Sequence, residues 1–386
     1  MIYLDNTSTT SPKPEEVCIA VETQIRKNCG SPGRSAAIAG KNTDIIFETR
    51  MLIAKLLNAT PDRIIFTCSA TDSLNLAIKG YLKKGDHVIV TSMDHNSILR
   101  PVMHMEREGI IEVSVIASDS KGYINSVDFF TQIRPNTKLI IATHASNVVG
   151  TLADIEKIGE IALANRLAFL VDASQSIGVV PLDVQKMHID MLALPGHKSL
   201  FGPTGTGALY IRDGIDLVPL RHGGTGTFSE SMFQPEEMPH RYESGTGNLI
   251  GIAGLNAGIK YILSEGMEKI REHEENLADY MYQELLKLNK VIVYGTEKAC
   301  DKTAVISLNI NNWAASKIGQ LLSDKFGIIT RAGLHCAPLA HKAIGTESCG
   351  TVRFGIGYFN TKEDIDCALE ALNEICKKQQ TTTAPI

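Results

Sequence analysis

No apolar run in the sequence is long enough to cross a bilayer, and Met1-Ile-Tyr-Leu-Asp5 lacks the basic start and apolar core of a signal peptide. A cytoplasmic protein is therefore expected, with no membrane partner. Charge of one sign is also scarce. With 38 basic and 43 acidic residues the net charge is −5, which gives no electrostatic case for binding nucleic acid or an anionic surface. Eight cysteines are scattered without a C-x-x-C pair or framework spacing, which argues against a disulfide scaffold and against a structural metal. In a reducing compartment most of them are expected to be free, buried, small apolar residues. Internal repeats are absent. Glycine is plentiful, yet no dinucleotide fingerprint results. In Gly245-Thr-Gly247-Asn-Leu-Ile250-Gly251 the third glycine falls one place late, after a poor strand. Gly202-Pro-Thr-Gly-Thr-Gly207 leads into neither a lysine nor a helix, so it is not a P-loop.

What is present is an ordinary soluble composition, 44% hydrophobic and 21% charged, in a chain long enough for two cores. Helical periodicity runs from about Pro14 to Lys27 and again to about Leu57, separated by a Gly30-Ser-Pro-Gly-Arg34 turn whose arginine can reach an anion. From Ile64 onward short apolar runs alternate with helical stretches: His87–Thr91, Ile98–Arg107, Glu112–Ile116, Leu139–Ala142, Ile155–Ala164 and Phe169–Val171. Alternation of this length predicts an α/β fold with a mostly parallel, doubly wound sheet. A long helical stretch over about Gly251–Leu288, then mixed strands and helices to about Cys376, predicts a smaller α+β domain. The expected division is a large domain over 14–250 and a small one over 251–376, with 1–13 packing on the small one and 377–386 a disordered tail.

The stretch that organises the chain is Ala193-Leu-Pro-Gly-His-Lys-Ser-Leu-Phe-Gly202. It places Lys198 in a glycine-rich turn between two apolar segments. A lysine so held is a candidate for amine chemistry, because burial lowers its pKa and frees the lone pair to form an imine with an aldehyde. Upstream, Ala168-Phe-Leu-Val-Asp172 reads as a buried parallel strand with a carboxylate at its C-terminal mouth, where open α/β sheets bind ligands. Pyridoxal phosphate enzymes need that lysine and an acid that keeps the pyridine nitrogen protonated. Other strand mouths carry Met93-Asp-His95, Thr143-His-Ala-Ser-Asn147 and Asp172-Ala-Ser-Gln175. Thr67-Cys-Ser-Ala-Thr71 at a strand-to-helix junction reads equally as a phosphate cradle and as a helix cap. Arg331-Ala-Gly-Leu-His-Cys336-Ala-Pro338 holds a thiol on a small-residue loop beside cationic groups, surroundings that favour thiolate. Arg353, on a strand, suits a substrate carboxylate or a structural ion pair.

Gly196-His-Lys198, Val171-Asp172-Ala-Ser-Gln175, Ser146-Asn147, Arg331-x-Gly-x-His-Cys336 and Arg353 together resemble the class V aminotransferase family of fold-type I pyridoxal phosphate enzymes. Within it the chain is similar to the cysteine desulfurases with a short catalytic loop. The resemblance implies pyridoxal 5'-phosphate bound through Lys198, which also moves protons. It implies Asp172 on the ring nitrogen, Gln175 on the ring oxygen and His95 stacked on the ring. Ala70, Thr71 and His197 would hold the phosphate, and Thr246 would reach a neighbouring subunit's phosphate in a homodimer. Asn147, Arg331 and Arg353 would bind substrate, with Asn147 also near the cofactor. Cys336 would take sulfur from L-cysteine, leaving L-alanine and a persulfide for a protein or small-molecule acceptor. Selenocysteine lyase acting on L-selenocysteine, or another class V lyase or aminotransferase, is the alternative. Three positions depart from the family: Pro195 where a hydroxyl residue is usual, the additional Ser199, and Asp94 in place of Glu.

Overall fold

The computed structural model describes residues 1–27 and 37–378. The Gly30–Arg34 turn and residues from 379 onward lie outside the described residues. The chain opens with β1 (Ile2–Tyr3), α1 (Glu15–Lys27) and α2 (Ala37–Leu57). Alternating elements follow: β2 (Ile64–Thr67), α3 (Ala70–Tyr81), β3 (His87–Thr91), α4 (Asn96–Arg107), β4 (Glu112–Ile116) and α5 (Val127–Gln132). Then come β5 (Thr137–Thr143), α6 (Ile155–Ala164), β6 (Ala168–Asp172), β7 (Met191–Pro195) and β8 (Gly207–Ile211). These strands form one seven-stranded sheet in the order β2-β8-β7-β6-β5-β3-β4, in which only β8 runs antiparallel to its neighbours.

The near-continuous apolar runs follow from helices covering both faces of this sheet. Alternate residues of one strand serve two cores. Ile140 and Ala142 of β5, with Phe169 and Val171 of β6, face one core, while Leu139, Ile141, Ala168 and Leu170 face the other. Such alternation fixes the register, since a slip of one residue would exchange the faces.

The second half holds α7 (Leu249–Glu265), α8 (Met267–Leu285), β9 (Val291–Tyr294), β10 (Val305–Ile310), α9 (Ala315–Phe326) and β11 (Ile328–Ile329). It ends with β12 (Arg331–Gly333), α10 (Pro338–Ala343), β13 (Thr351–Gly355) and α11 (Lys362–Lys377). Four of these strands make an antiparallel sheet in the order β12-β13-β10-β9 around a separate core. β1 pairs in parallel with β11, so the amino-terminal residues lie against this half. The expected single helix over about 251–288 is two helices. They break at Gly266, whose φ of +88° ends one and starts the next. Leu255, Ile259 and Ile262 of α7 pack in the large-sheet core. We therefore propose a division between domains at Gly266 rather than after residue 250. The cysteine expectation is corrected. Cys18, Cys68, Cys300, Cys349 and Cys367 are exposed free thiols, Cys336 is half-buried, and among the described residues only Cys376 is buried.

Candidate active site

All the parallel strands of the large sheet end on one edge, and the polar loops gather there. Asp172, 2% exposed, closes β6, where its carboxylate accepts from the Ser174 amide at 2.9 Å and its carbonyl from the His144 amide. Lys198 follows β7 in the connection to β8. Burial pushes its ammonium down to about 8 against the pull of Asp172, while Arg353 and Arg331 push the same way. Its Nζ has no hydrogen-bond partner among the described residues. A fraction of neutral amine is thus available near neutral pH, as imine chemistry requires.

The β3 loop is tied to its neighbour by one of the three positions that depart from the family. Asp94, fully buried, accepts from the Thr91 amide at 2.7 Å and the Thr143 amide at 2.8 Å, clamping the mouths of β3 and β5 together. Next to it His95 caps α4, its Nδ1 accepting from the Ser97 amide at 3.1 Å. An acceptor at Nδ1 puts the proton of the neutral ring on Nε2. Burial pushes the imidazole down to about 4, with Asp172 opposing and Lys198 adding, so the ring is neutral at physiological pH. Ser97 Oγ also meets Thr71 Oγ1 at 2.8 Å, which links the start of α3 to this ring. The Ala70 and Thr71 amides open α3 without partners among the described residues, an arrangement suited to an anion. Gly207 lets β8 pass beneath that helix start, because a Cβ there would lie 2.7 Å from the Ser69 carbonyl carbon.

The small sheet closes the site from the other side. Arg353, 1% exposed on β13, donates from Nη1 to the Asn147 carbonyl at 2.9 Å and from Nη2 to Asp5 Oδ1 and Ser8 Oγ, each at 2.9 Å. Asn147 Nδ2 donates to the His335 carbonyl at 2.6 Å, and the Asn96 amide to the Cys336 carbonyl at 2.8 Å. Cys336 is therefore docked beside the α4 start that carries His95. Its loop, Leu334–Ala337, joins β12 to α10, and both His335 and Cys336 adopt left-handed φ values of 48° and 59°. Arg331 Nη2 points at Cys336 Sγ across 3.6 Å.

Lys198, Asp172, His95, Asn147, Arg331, Cys336 and Arg353 are joined by these contacts and charge interactions. His197 flanks the lysine. Burial holds its ring near 4, and its Nδ1 is buried without a partner, as is Asn147 Oδ1. Gln175 is present at the β6 mouth, but its amide nitrogen already donates to the Thr7 carbonyl at 3.1 Å. Thr246 stands apart, exposed on the loop before α7. The residues missed are those of the polar turn Asp5–Lys13. The Thr10 amide, Thr9 Oγ1 and Lys13 Nζ all donate to the His197 carbonyl, at 3.2, 3.1 and 2.7 Å. Burial holds the Lys13 ammonium down to about 8. The only sequence signal was a run of hydroxyl residues, which does not name a distant partner.

The family model for aminotransferase class-V matches residues 2–367. A probable cysteine desulfurase of Methanothermobacter thermautotrophicus is 34% identical over 382 residues, covering 97% of this chain and 94% of that protein. The cysteine desulfurase IscS of Methanosarcina thermophila is 34% identical over 394 residues, covering 98% and 92%. Among solved structures, the apo cysteine desulfurase of Thermococcus onnurineus superimposes with a TM-score of 0.92 at 32% identity, covering 97% of this chain and 94% of that one. The Escherichia coli cysteine desulfurase CsdA, solved as an S-sulfonic acid form, gives 0.88 at 27% identity, covering 96% and 94%.

Proposed function

The chain belongs to the aminotransferase class-V family, and from that membership we propose that it is a pyridoxal phosphate-dependent cysteine desulfurase converting L-cysteine to L-alanine. One observation supports this reading above the others. The loop bearing Cys336 is hydrogen-bonded to Asn96 and, through His335, to Asn147, so a thiol-bearing loop is docked against the strand-mouth loops that carry His95 and Asn147. An aminotransferase has no use for a thiol there.

The residues present fit the cofactor. An unpartnered amine of lowered pKa, a buried carboxylate, a neutral imidazole, two free helix-start amides and the buried partnerless His197 Nδ1 line one edge. Lys198 would hold the aldehyde carbon and Asp172 the ring nitrogen. His95 would lie on the ring, Gln175 at the ring oxygen, and Ala70, Thr71 and His197 at the phosphate. When bound, pyridoxal phosphate supplies an electron-withdrawing ring that weakens the substrate's Cα–H and Cβ–S bonds. Arg353 and Asn147 orient the substrate carboxylate, which directs the side-chain sulfur toward Cys336. Lys198, titrating near 8, takes the Cα proton and returns one. His95, neutral with its proton on Nε2, offers a hydrogen bond without adding a charge. The Cys336 thiolate bonds to the substrate sulfur as the Cβ–S bond breaks; the electron pair of that bond stays with the substrate carbon, Cβ takes up a proton to become the methyl of alanine, and a persulfide is left on Cys336.

No helix among the described residues is long and apolar enough to cross a membrane, and we place the enzyme in the cytoplasm. A homodimer, with Thr246 reaching the other copy's phosphate site, and a protein or small-molecule sulfur acceptor complete the proposal. The test is Cys336→Ala. The variant is expected to keep cofactor absorbance that borohydride abolishes, yet to lose sulfide release from L-cysteine. Undiminished sulfide release would remove Cys336 as nucleophile, and absence of the borohydride-sensitive band would remove the cofactor.

A further inference from the structure

Arg331 and Arg353 are directly opposed across the β12–β13 ladder. Like charges so placed repel each other. One hydroxyl lies between them. Ser8 Oγ donates to Asp5 Oδ1 at 2.8 Å and accepts from Arg353 Nη2 at 2.9 Å and from Arg331 Nη1 at 3.2 Å. One donation and two acceptances use the whole capacity of a hydroxyl. Beyond this node the two guanidiniums diverge. Arg353 turns to Asp5 and the Asn147 carbonyl, and Arg331 turns its Nη2 to Cys336 Sγ at 3.6 Å. Ser8 and Cys336 are the hydrogen-bond partners of Arg331 among the described residues.

Resting on the reading of Cys336 as nucleophile and Arg353 as carboxylate clamp, we propose that Ser8 is a positioning residue that holds Arg331 against the Cys336 sulfur. A guanidinium at that sulfur fixes where it points during the attack and pairs with the anionic persulfide after it. Ser8 touches neither. It works by giving Arg331 a second acceptor that keeps it apart from Arg353. A methyl in place of the hydroxyl leaves Arg353 with Asp5 and Asn147, so substrate binding is spared. Arg331 keeps only the long contact to sulfur and the repulsion of its cross-strand neighbour.

The experiment compares holoenzyme, Ser8→Ala and Ser8→Thr in turnover of L-cysteine and in alkylation of Cys336 by iodoacetamide, mapped by peptide mass with exposed Cys349 as internal reference. Loss of a hydrogen bond to a charged group predicts that Ser8→Ala lowers kcat about tenfold and slows Cys336 alkylation by a similar factor, with KM changed by less than about twofold. Ser8→Thr, which restores the hydroxyl, should restore both. Unchanged kcat and alkylation in Ser8→Ala would overturn the proposal. So would a rise in KM in place of a fall in kcat, or a Thr variant as impaired as Ala at an unchanged melting temperature. Failure of the underlying reading shows elsewhere, as sulfide release that survives Cys336→Ala.

Discussion

Arg353 gathers contacts from three parts of the candidate site in one side chain. It is 1% exposed and its guanidinium meets Asp5, Ser8 and the Asn147 carbonyl. A lysine ammonium is a point charge on a flexible stem and does not reproduce that fork. Arg353→Lys should therefore raise KM for L-cysteine about tenfold or more and lower stability by about 2 kcal/mol. Steady-state kinetics and thermal melting check both, and an unchanged KM would remove Arg353 from substrate binding. At this scale legibility followed sequence distance. Lys198 and Asp172 were readable because one lies just past an apolar strand and the other closes one, where the sheet forces polar groups into the cleft. Asp5 and Ser8 were not, because they meet Arg353 across 348 and 345 positions of sequence and nothing local records the meeting.

Among the elements, the join between the amino-terminal turn and β13 leaves no space for a side chain. A Cβ on Gly355 would lie 2.1 Å from Thr7 Oγ1 and 2.6 Å from the Thr7 amide nitrogen. Backbone on one side and a pinned turn on the other leave it no room. Gly355→Ala should cost about 1–3 kcal/mol and displace the turn from Arg353 and His197. Turnover should then fall with Lys198, Cys336 and Arg353 all intact. Calorimetry and turnover test this, and wild-type values in both would show the turn is held elsewhere. Most parallel strands of the large sheet were legible because apolar residues run through them, whereas β7 and β8 were read only as apolar segments flanking the lysine turn. His87–Thr91 and Glu112–Ile116 match to the residue. The break at Gly266 was hidden because helical periodicity continues on either side of one residue of unusual φ. The six-residue helices α5 and α10 are too short to show a period.

Over the whole molecule, buried imidazoles set the response to acid. Burial pushes His95, His144, His197 and His341 down to about 4, and His87 and His335 below their ordinary value as well. As pH falls below about 6.5 the unfolded chain takes up these protons first, so the stability they contribute at neutral pH is lost toward pH 4. Burial raises Asp94 to about 6 and Glu274 to about 8, and these act in the opposite sense, favouring the folded state more as pH falls. Six groups against two predict a melting temperature lower at pH 5 than at pH 7, and a rise on acidification would refute this balance. The pairing of Ile2–Tyr3 with Ile328–Ile329 has a consequence in time. A ribosome releases the turn that braces the lysine loop hundreds of residues before its docking strand exists. Once β8 is made at Ile211 the nascent polypeptide therefore carries a complete large sheet beside an unbraced crevice, and competence waits until β11 has been made.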